Sequence, residues 1–205
     1  MIEKNVEAII FDFGGVIINL DYNATIDAFK KLGLDNFDHL YSQATQSNLF
    51  DSIETGKISP QHFINSLLRL LPKETTPKQV INAWNAMLLD IPIERIELLQ
   101  ELSKRYKIYL LSNTNKIHID AALETWNRTT NKPIEYIFEK VYFSHEVHMR
   151  KPHVEIFNLV TTNEGLNPAK TLFIDDSIQH IQGAITAGLQ THHLRPEESL
   201  HELFS

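Results

Sequence analysis

Short apolar runs that end at polar residues alternate with amphipathic stretches along most of this chain. Four runs are rich in β-branched and aromatic residues: 8–11, 108–111, 141–143 and 171–174. Such runs are typical of buried strands, and helical periodicity fills the segments between them from residue 91 onward. A fifth short strand is predicted at 190–194, before a terminal helix. The alternation predicts an α/β fold, a doubly wound parallel sheet with helices on both faces.

Residues from about 22 to 88 contain no predicted strand. Ser59-Pro60 and Thr76-Pro77 have the helix-start pattern of a capping hydroxyl followed by proline. We therefore expect a helical cap domain at 21–88, inserted into a core domain made of 1–20 and 89–205. Trp84 and Trp126 are interpreted as buried core or cap-interface residues.

One turn of the predicted cap, Glu54-Thr55-Gly56-Lys57, has a glycine suited to ending a helix. It is either a loop that reaches over the carboxyl ends of the strands and contacts the substrate, or an ordinary turn between helices.

Composition limits the class of protein. The chain has 205 residues, enough for one core and a modest insert, and it has no Cys, which excludes disulfides and thiolate metal sites. Its formal net charge is −7, and no Lys/Arg cluster indicates a nucleic-acid surface. No apolar run is long enough to cross a bilayer, and the first residues lack a signal-peptide pattern. We expect a cytoplasmic monomer or weak dimer without nucleic-acid or membrane partners.

Polar side chains follow four of the predicted strands. Asp12 ends the first run, Ser112-Asn113 follow the second, Lys151 lies in the loop after the third, and Asp175-Asp176 follow the fourth. Ligands of open parallel sheets bind at the carboxyl ends of the strands. The sequence therefore predicts a site that combines carboxylates, a hydroxyl and an ammonium group.

Four segments in this order, FDFGGVI, LLSNTN, MRKP and FIDDS, resemble the motifs of the haloacid dehalogenase superfamily, whose members are mostly phosphatases. The resemblance covers nearly the whole chain. In detail, the chain is similar to two types of members that have a helical cap. One is the glucose-1-phosphate phosphatase type, and the other is the N-terminal phosphatase domain of soluble epoxide hydrolases. It implies a magnesium-dependent phosphatase that acts on a small phosphorylated metabolite, expected to be a sugar phosphate.

The same resemblance assigns roles to residues. Asp12 is the expected nucleophile, which forms an aspartyl-phosphate. Mg²⁺ is expected on Asp12, the main-chain carbonyl of Gly14 and Asp176, with Asp175 behind the site or as an alternate ligand. Lys151 is expected to bind the phosphoryl group and to screen Asp12. The Ser112 hydroxyl and the Asn113 backbone N–H are expected to bind phosphoryl oxygens.

Gly14 departs from the superfamily pattern. Most of its phosphatases carry a second Asp two residues after the nucleophile, and that Asp protonates the leaving group. Three explanations stay open: the substrate leaves easily, another group supplies the proton, or turnover is slow. His118, His148 and His180 are the candidates for an alternative proton donor.

Two other functions compete with the phosphatase. A 2-haloacid dehalogenase would use the same Asp to attack carbon without a metal, but the Asp175-Asp176 pair, left uncompensated, would repel an anionic substrate. A non-enzymatic regulator that binds metal or phosphate would also retain some of these residues.

Overall fold

The computed structural model describes residues 5–42 and 48–204. Its sheet contains five strands: β1 Ala8–Phe11, β2 Lys107–Ser112, β3 Lys140–Phe143, β4 Thr171–Asp175 and β5 Gln190–His193. Neighbouring strands are all parallel, in the order β3-β2-β1-β4-β5. The predicted fold class is confirmed, and the fifth strand ends one residue earlier than predicted.

The helices of the described ranges separate into an inserted group and a sheet-covering group. The inserted group is α1 Tyr22–Lys31, α2 Phe37–Ser42, α3 Asn48–Glu54, α4 Pro60–Leu68 and α5 Pro77–Asn85. The second group is α6 Ile93–Leu102, α7 Lys116–Thr130, α8 Ser144–Val147, α9 Val154–Asn163, α10 Ile178–Thr186 and α11 Leu200–Phe204. None of these described helices combines the length and the apolar character that a membrane crossing requires.

The central strand β1 explains why the sheet is covered on both faces. All four of its residues are buried. Ile9 and Phe11 pack into a cluster with residues of α6, α7 and α11, while Ala8 and Ile10 pack on the opposite face against α9 and α10. A strand buried on both sides is apolar throughout, which is the pattern seen in the sequence.

Strand register brings the candidate residues to one edge. Phe11 lies opposite Leu110 of β2 and Ile174 of β4, so these three strands end at nearly the same level. The Asp12 N–H still donates to the Ile174 carbonyl at 2.9 Å. Asp12 is therefore fixed by the sheet ladder, although it lies just beyond the strand.

Helices α1 to α5 bury their own apolar cluster, which contains Trp84 and four phenylalanines: Phe29, Phe37, Phe50 and Phe63. The predicted helix starts are present, since Ser59 accepts from the His62 N–H and Thr76 forms a capping box with Gln79. Trp126 lies in the sheet cluster instead. Both tryptophans are buried, as predicted.

The two connections between the insert and the sheet run side by side. The Leu89 N–H donates to the Asn19 carbonyl at 3.0 Å, and the Asp21 N–H donates to the Met87 carbonyl at 2.9 Å. Leu20 and Leu88 form an antiparallel bridge between them. We propose this paired crossing as the domain boundary, with a cap at 21–88 and a core of 1–20 and 89–205.

Candidate active site

The carboxyl ends of the strands and the helical insert together line a cavity of about 420 Å³. From the insert and its connections come Leu20, Tyr22, Tyr41, Glu54, Met87 and Leu88. From the core come Asp12, Phe13, Gly14, Ile18, Ser112, Asn113, Thr114, His118, Ala122, Arg150, Asp176, Ser177 and His180. The volume suits a small metabolite, because small-molecule pockets measure about 300–1,000 Å³.

The two carboxylate oxygens of Asp12 differ in their hydrogen-bond partners. Oδ1 accepts a hydrogen bond from the Phe13 N–H at 2.7 Å and lies 2.8 Å from Lys151 Nζ. No described residue donates a hydrogen bond to Oδ2. Burial and the neighbouring Asp175 carboxylate raise the pKa of Asp12, against the opposing effect of Lys151. Asp12 and Asp175 together therefore carry more negative charge than the single ammonium group of Lys151 compensates.

Lys151 is fully buried between two carboxylates. Its Nζ lies 2.8 Å from Asp12 Oδ1 and 2.6 Å from Asp175 Oδ2. Burial lowers the pKa of Lys151, but Asp12 and Asp175 outweigh that effect and the pKa is raised. The side chain is therefore a fixed cation that screens Asp12. It does not line the described cavity, so its contact with a phosphoryl group stays a prediction.

Asp175 is also fully buried, and both of its oxygens are occupied. Oδ1 accepts from the Ser177 N–H at 2.8 Å, and Oδ2 accepts from Lys151 Nζ. His180 Nδ1 lies 2.9 and 3.0 Å from the two oxygens. Burial acts to raise the pKa of Asp175, but Lys151 and His180 outweigh it and lower that pKa. This geometry favours a place behind the site, which was one of the two predicted roles.

Asp176, unlike Asp175, faces the cavity and is solvent-exposed. Although the residue as a whole is exposed, partial desolvation of its carboxylate and the neighbouring Asp175 charge raise the pKa of Asp176. The neighbouring Gly15 has φ +73°, and a Cβ there would lie 2.1 Å from Asp176 Oδ2. Glycine at this position is therefore needed both for the backbone conformation and for the close approach of the carboxylate.

The donor set at this edge suits magnesium, which prefers oxygen ligands. Carboxylates of Asp12 and Asp176 and the backbone of Gly14 line the same cavity. Asp12, Asp175 and His180 also converge, with one possible ligand atom from each within 4.8 Å of the others. That second set includes a nitrogen, and its Asp175 and His180 already bond each other. We therefore favour the all-oxygen set of Asp12, Asp176 and Gly14.

Ser112 and Asn113 both line the cavity, but their side chains make different contacts. The Asn113 amide accepts from the Lys151 N–H and donates to the Lys151 carbonyl, both at 2.9 Å. Asn113 therefore fixes the Lys151 backbone. Ser112 is buried at the end of β2, and no described residue forms a hydrogen bond with its hydroxyl. Asn115, rather than either residue, caps α7. Phosphoryl binding by Ser112 and by the Asn113 N–H stays a prediction.

The three histidines proposed as proton donors occupy different places. His118 lines the cavity, stacks on Trp84 with ring centroids 4.6 Å apart, and bonds Asn85 Oδ1 through Nδ1 at 2.8 Å. Burial lowers the pKa of His118 to about 3, so its ring is neutral near pH 7. His180 also lines the cavity, and burial lowers its pKa too.

His148 lies outside the cavity lining, and its Nδ1 is 2.9 Å from the Thr55 carbonyl oxygen. It therefore contacts the insert rather than a reacting group. In the neutral forms of His118 and His180, the Nδ1 proton is directed to Asn85 and Asp175, so neither Nε2 carries a proton to donate.

The predicted turn at Glu54 does reach the cavity. Glu54 lines it, and Glu54 Oε2 lies 3.1 Å from Arg150 Nη2. Burial raises the pKa of Glu54, with Arg150 acting in the opposite direction. Sequence reasoning missed Tyr22, Tyr41 and Arg150 as cavity residues. Arg150 had a local signal, because it precedes Lys151 in a motif, whereas the tyrosines had none.

The comparison with protein families settles where this arrangement belongs. The sequence profile described as haloacid dehalogenase-like hydrolase matches residues 9–193. The chain belongs to this family. The resemblance seen in the four motifs is thereby confirmed, and so is the expectation of a hydrolase.

Relatives of known function and structure extend the comparison. The chain is 32% identical to D-ribitol-5-phosphate phosphatase of Bacteroides thetaiotaomicron over 91% of its own length and 90% of that protein. A HAD family enzyme from Bacteroides thetaiotaomicron, solved with magnesium and inorganic phosphate, is 36% identical with a TM-score of 0.91, and the match covers 98% of this chain and 100% of that one.

A more distant neighbour is L-2-haloacid dehalogenase from Xanthobacter autotrophicus. It is 18% identical with a TM-score of 0.63, over 97% of this chain and 81% of that one. At this identity the likeness shows a shared fold and carries no statement about the reaction.

Proposed function

We propose that this protein is a magnesium-dependent phosphatase that hydrolyses a small, hydroxylated phosphate ester, a sugar or polyol phosphate, through an aspartyl-phosphate intermediate. The observation that carries the proposal is the Asp12 carboxylate. It lies on the cavity wall with one oxygen held by Lys151 and Phe13 and the other without a described partner. Two relatives support the same class of reaction: the D-ribitol-5-phosphate phosphatase and the HAD family enzyme solved with magnesium and inorganic phosphate.

In this mechanism, Asp12 Oδ2 attacks phosphorus while Oδ1 stays bonded to the Phe13 N–H and to Lys151. The sheet ladder holds the carboxylate in one direction, which favours an in-line approach. Lys151 keeps its charge because two carboxylates surround it, and this charge favours the ionised, nucleophilic form of Asp12 against the opposing effects of burial and Asp175 on the pKa of Asp12. Ser112 and the Asn113 N–H bind phosphoryl oxygens in this scheme.

Magnesium would be held by Asp12, Asp176 and the Gly14 carbonyl, and it would neutralise charge that gathers on the phosphoryl oxygens. Asp175 would act on the magnesium site only indirectly, by orienting Lys151 and His180. The expected cytosolic location and the expected monomeric or weakly dimeric state stay predictions.

The leaving group departs without a carboxylic acid at position 14. His118 and His180 supply no proton in their neutral forms, for the reasons given above. The alcohol of a polyol phosphate is a poor leaving group, so in this proposal its oxygen receives a proton from water, which agrees with the explanation that another group supplies the proton.

Phosphate release from p-nitrophenyl phosphate and from D-ribitol 5-phosphate tests the proposal. We expect turnover with magnesium, its loss with a chelator, and a higher magnesium requirement in Asp176→Ala, on the order of 100-fold. Asp12→Asn should lower kcat by at least about 10⁴-fold, because an amide is a poor nucleophile of the same size. Asp120→Asn, at an exposed ion pair on α7, is the matched control and should retain turnover.

Other outcomes would contradict the proposal. Metal-independent phosphate release would exclude the magnesium site. Halide release from 2-chloropropionate without metal would indicate a dehalogenase instead. Binding of magnesium and phosphate without turnover of either ester would indicate a regulator.

A further inference from the structure

The cavity end formed by the insert holds a carboxylate whose position is fixed by the core. Glu54 is the last residue of α3, and its carbonyl accepts from Ser144 Oγ at 2.7 Å. The next carbonyl, of Thr55, is 2.9 Å from His148 Nδ1. Gly56 packs so closely on the core that a Cβ there would lie 2.1 Å from the His145 carbonyl oxygen. These contacts fix the Glu54 backbone relative to the carboxyl ends of the strands.

The Glu54 carboxylate itself lacks hydrogen-bond donors. Oε2 is buried and lies 3.1 Å from Arg150 Nη2, but the alignment does not make a hydrogen bond. No other described residue donates to either oxygen. Oε1 is not buried in this way, and an ionised carboxylate oxygen accepts about two hydrogen bonds, so the acceptor capacity of Oε1 is left for a molecule in the cavity.

Arg150 does not make this end of the cavity an anion-binding site. Its guanidinium also lies 3.3 Å from Asp51 Oδ1, so it already faces two carboxylates. Lys57 Nζ also lies 3.3 Å from Asp51 Oδ2, so Arg150 and Lys57 balance the charges of Asp51 and Glu54 when all four are ionised. Among the described residues, this end of the cavity therefore offers no uncompensated cation to a second anionic group of a substrate.

His118 offers a second acceptor on the cavity wall. Its Nδ1 faces Asn85 Oδ1, which only accepts, so the ring proton is on Nδ1 and the Nε2 lone pair is free. The Asn85 amide nitrogen lies 3.5 Å from the Ile117 carbonyl, which supports this orientation of the amide. Stacking on Trp84 fixes the plane of the ring.

We propose that Glu54 and His118 determine substrate specificity by accepting hydrogen bonds from hydroxyl groups of the leaving alcohol, so that phosphate monoesters of neutral polyols are preferred over esters with a second anionic group. This inference rests on the proposed phosphatase function and adds the residues that recognise the alcohol. Buried acceptors left without donors are costly, so a site built in this way rejects substrates that lack hydroxyls.

The test compares two substrates in each variant. The ratio of kcat/KM for D-ribitol 5-phosphate to that for p-nitrophenyl phosphate cancels general damage to the phosphate end. We expect this ratio to fall by about 10-fold in Glu54→Gln and by about 100-fold in Glu54→Ala, since hydrogen bonds to charged groups are the stronger ones. His118→Phe, which keeps an aromatic ring on Trp84, should lower it by about 10-fold.

Asp51→Asn is the matched control. It removes the other carboxylate beside Arg150, on the same helix, but Asp51 does not line the cavity. Its ratio should stay within about threefold of the wild type. Equal ratios in the wild type and both Glu54 variants would overturn the inference. A wild type that hydrolyses p-nitrophenyl phosphate but not D-ribitol 5-phosphate would also overturn it and leave the phosphatase proposal standing. Failure on both esters would contradict the phosphatase proposal itself.

A second measurement uses esters of one size that differ in charge. The wild type should prefer glycerol 3-phosphate over 3-phosphoglycerate, in which a carboxylate replaces the terminal hydroxymethyl group. Glu54→Gln should reduce that preference by about 10-fold, because Arg150 and Lys57 would then face Asp51 alone and leave a positive charge for the carboxylate of the substrate. A wild-type preference for 3-phosphoglycerate would contradict the assigned role of Glu54.

Discussion

The two ends of the cavity differ in how their polar groups are paired. At the end formed by the sheet, Lys151 lies between Asp12 and Asp175, and Asp175 also bonds Ser177 and His180. At the end formed by the insert, Glu54 and the Nε2 atom of His118 have acceptor capacity that no described residue uses. Groups that act on every substrate are fixed in advance, whereas groups that recognise one substrate are left for that substrate to satisfy.

The same difference applies to the two neighbouring cations, Lys151 and Arg150. Lys151 is completely buried, while the Arg150 side chain is 29% exposed beside Asp51 and Glu54. Removing Lys151 leaves the fully buried Asp175 without its cation, whereas solvent compensates part of the loss of Arg150, because the Asp51 side chain is partly exposed. Adjacent residues of one loop should therefore make very different contributions to stability.

The largest expected effect follows from replacing these two cations. Lys151→Met should lower the free energy of unfolding by about 3–5 kcal/mol, because it leaves Asp12 and Asp175 buried without a cation. Arg150→Met should lower it by about 1 kcal/mol at most. Urea denaturation of both variants and the wild type, in magnesium-free buffer with chelator, measures the difference. Equal losses would show that the two ends are not distinguished by the pairing of their charges.

Much of the sheet end was predictable from sequence, because its signals are local. Apolar runs mark β1 and β4, and Asp12 and Asp176 follow these strands directly. The pairing of Lys151 with Asp175 was not predicted, since it joins residues in two separate loops. The Asn113 side chain was also assigned to no partner, because a motif identifies residue types but not which main-chain groups they contact.

The insert end was less predictable because its contacts join distant parts of the chain. The turn at Glu54 was recognised, but its approach to Arg150 depends on how the cap packs on the core. The sequence offers His118 as a proton donor because of its residue type and its position six residues after Ser112. Its burial against Trp84, from a different domain of the proposed division, lowers its pKa to about 3 and makes that role unsuitable at neutral pH.

A smaller effect concerns the pH dependence of stability, and it sharpens the assignment of His118 as a neutral acceptor. The folded protein holds the pKa of His118 at about 3, against an ordinary value of 6.5. Below pH 6.5 the unfolded chain binds a proton that the folded protein does not, so stability falls as the pH falls. Between pH 6.5 and 5.0 this residue should account for a loss of about 2 kcal/mol, at about 1.36 kcal/mol per pKa unit.

Urea denaturation at pH 7.5 and pH 5.0 measures that loss. His118→Gln should lose about 2 kcal/mol less than the wild type between the two conditions. His62→Gln, at an exposed position of α4, should lose as much as the wild type. If His118→Gln and the wild type lose the same stability, His118 is protonated in the folded protein, and its role as a neutral acceptor is wrong.

The smallest expected effect concerns Gly14, which lies between the two ends. Its backbone is outside the left-handed region. A Cβ there would meet the flexible side chain of Leu20, with Cδ1 at 2.7 Å and Cγ at 3.6 Å. Gly14→Asp is therefore compatible with the fold after a small shift of Leu20. It should raise kcat/KM for D-ribitol 5-phosphate relative to p-nitrophenyl phosphate by about 10-fold, below the usual gain from general-acid catalysis because no neighbours orient the new carboxyl.

A leaving-group series separates this acid effect from a change in shape. Gly14→Asn places a side chain of similar size beside Leu20 but offers no carboxylic acid, so it should leave the dependence of kcat/KM on leaving-group pKa as steep as in the wild type. Gly14→Asp should make that dependence shallower, since the new acid helps poor leaving groups most. Equal slopes in Gly14→Asp and Gly14→Asn would show that a carboxyl at position 14 cannot reach the leaving oxygen. A flat wild-type series would show that the protein already supplies the proton from another group, and Tyr22 and Tyr41, which line the cavity, would then be the first residues to replace.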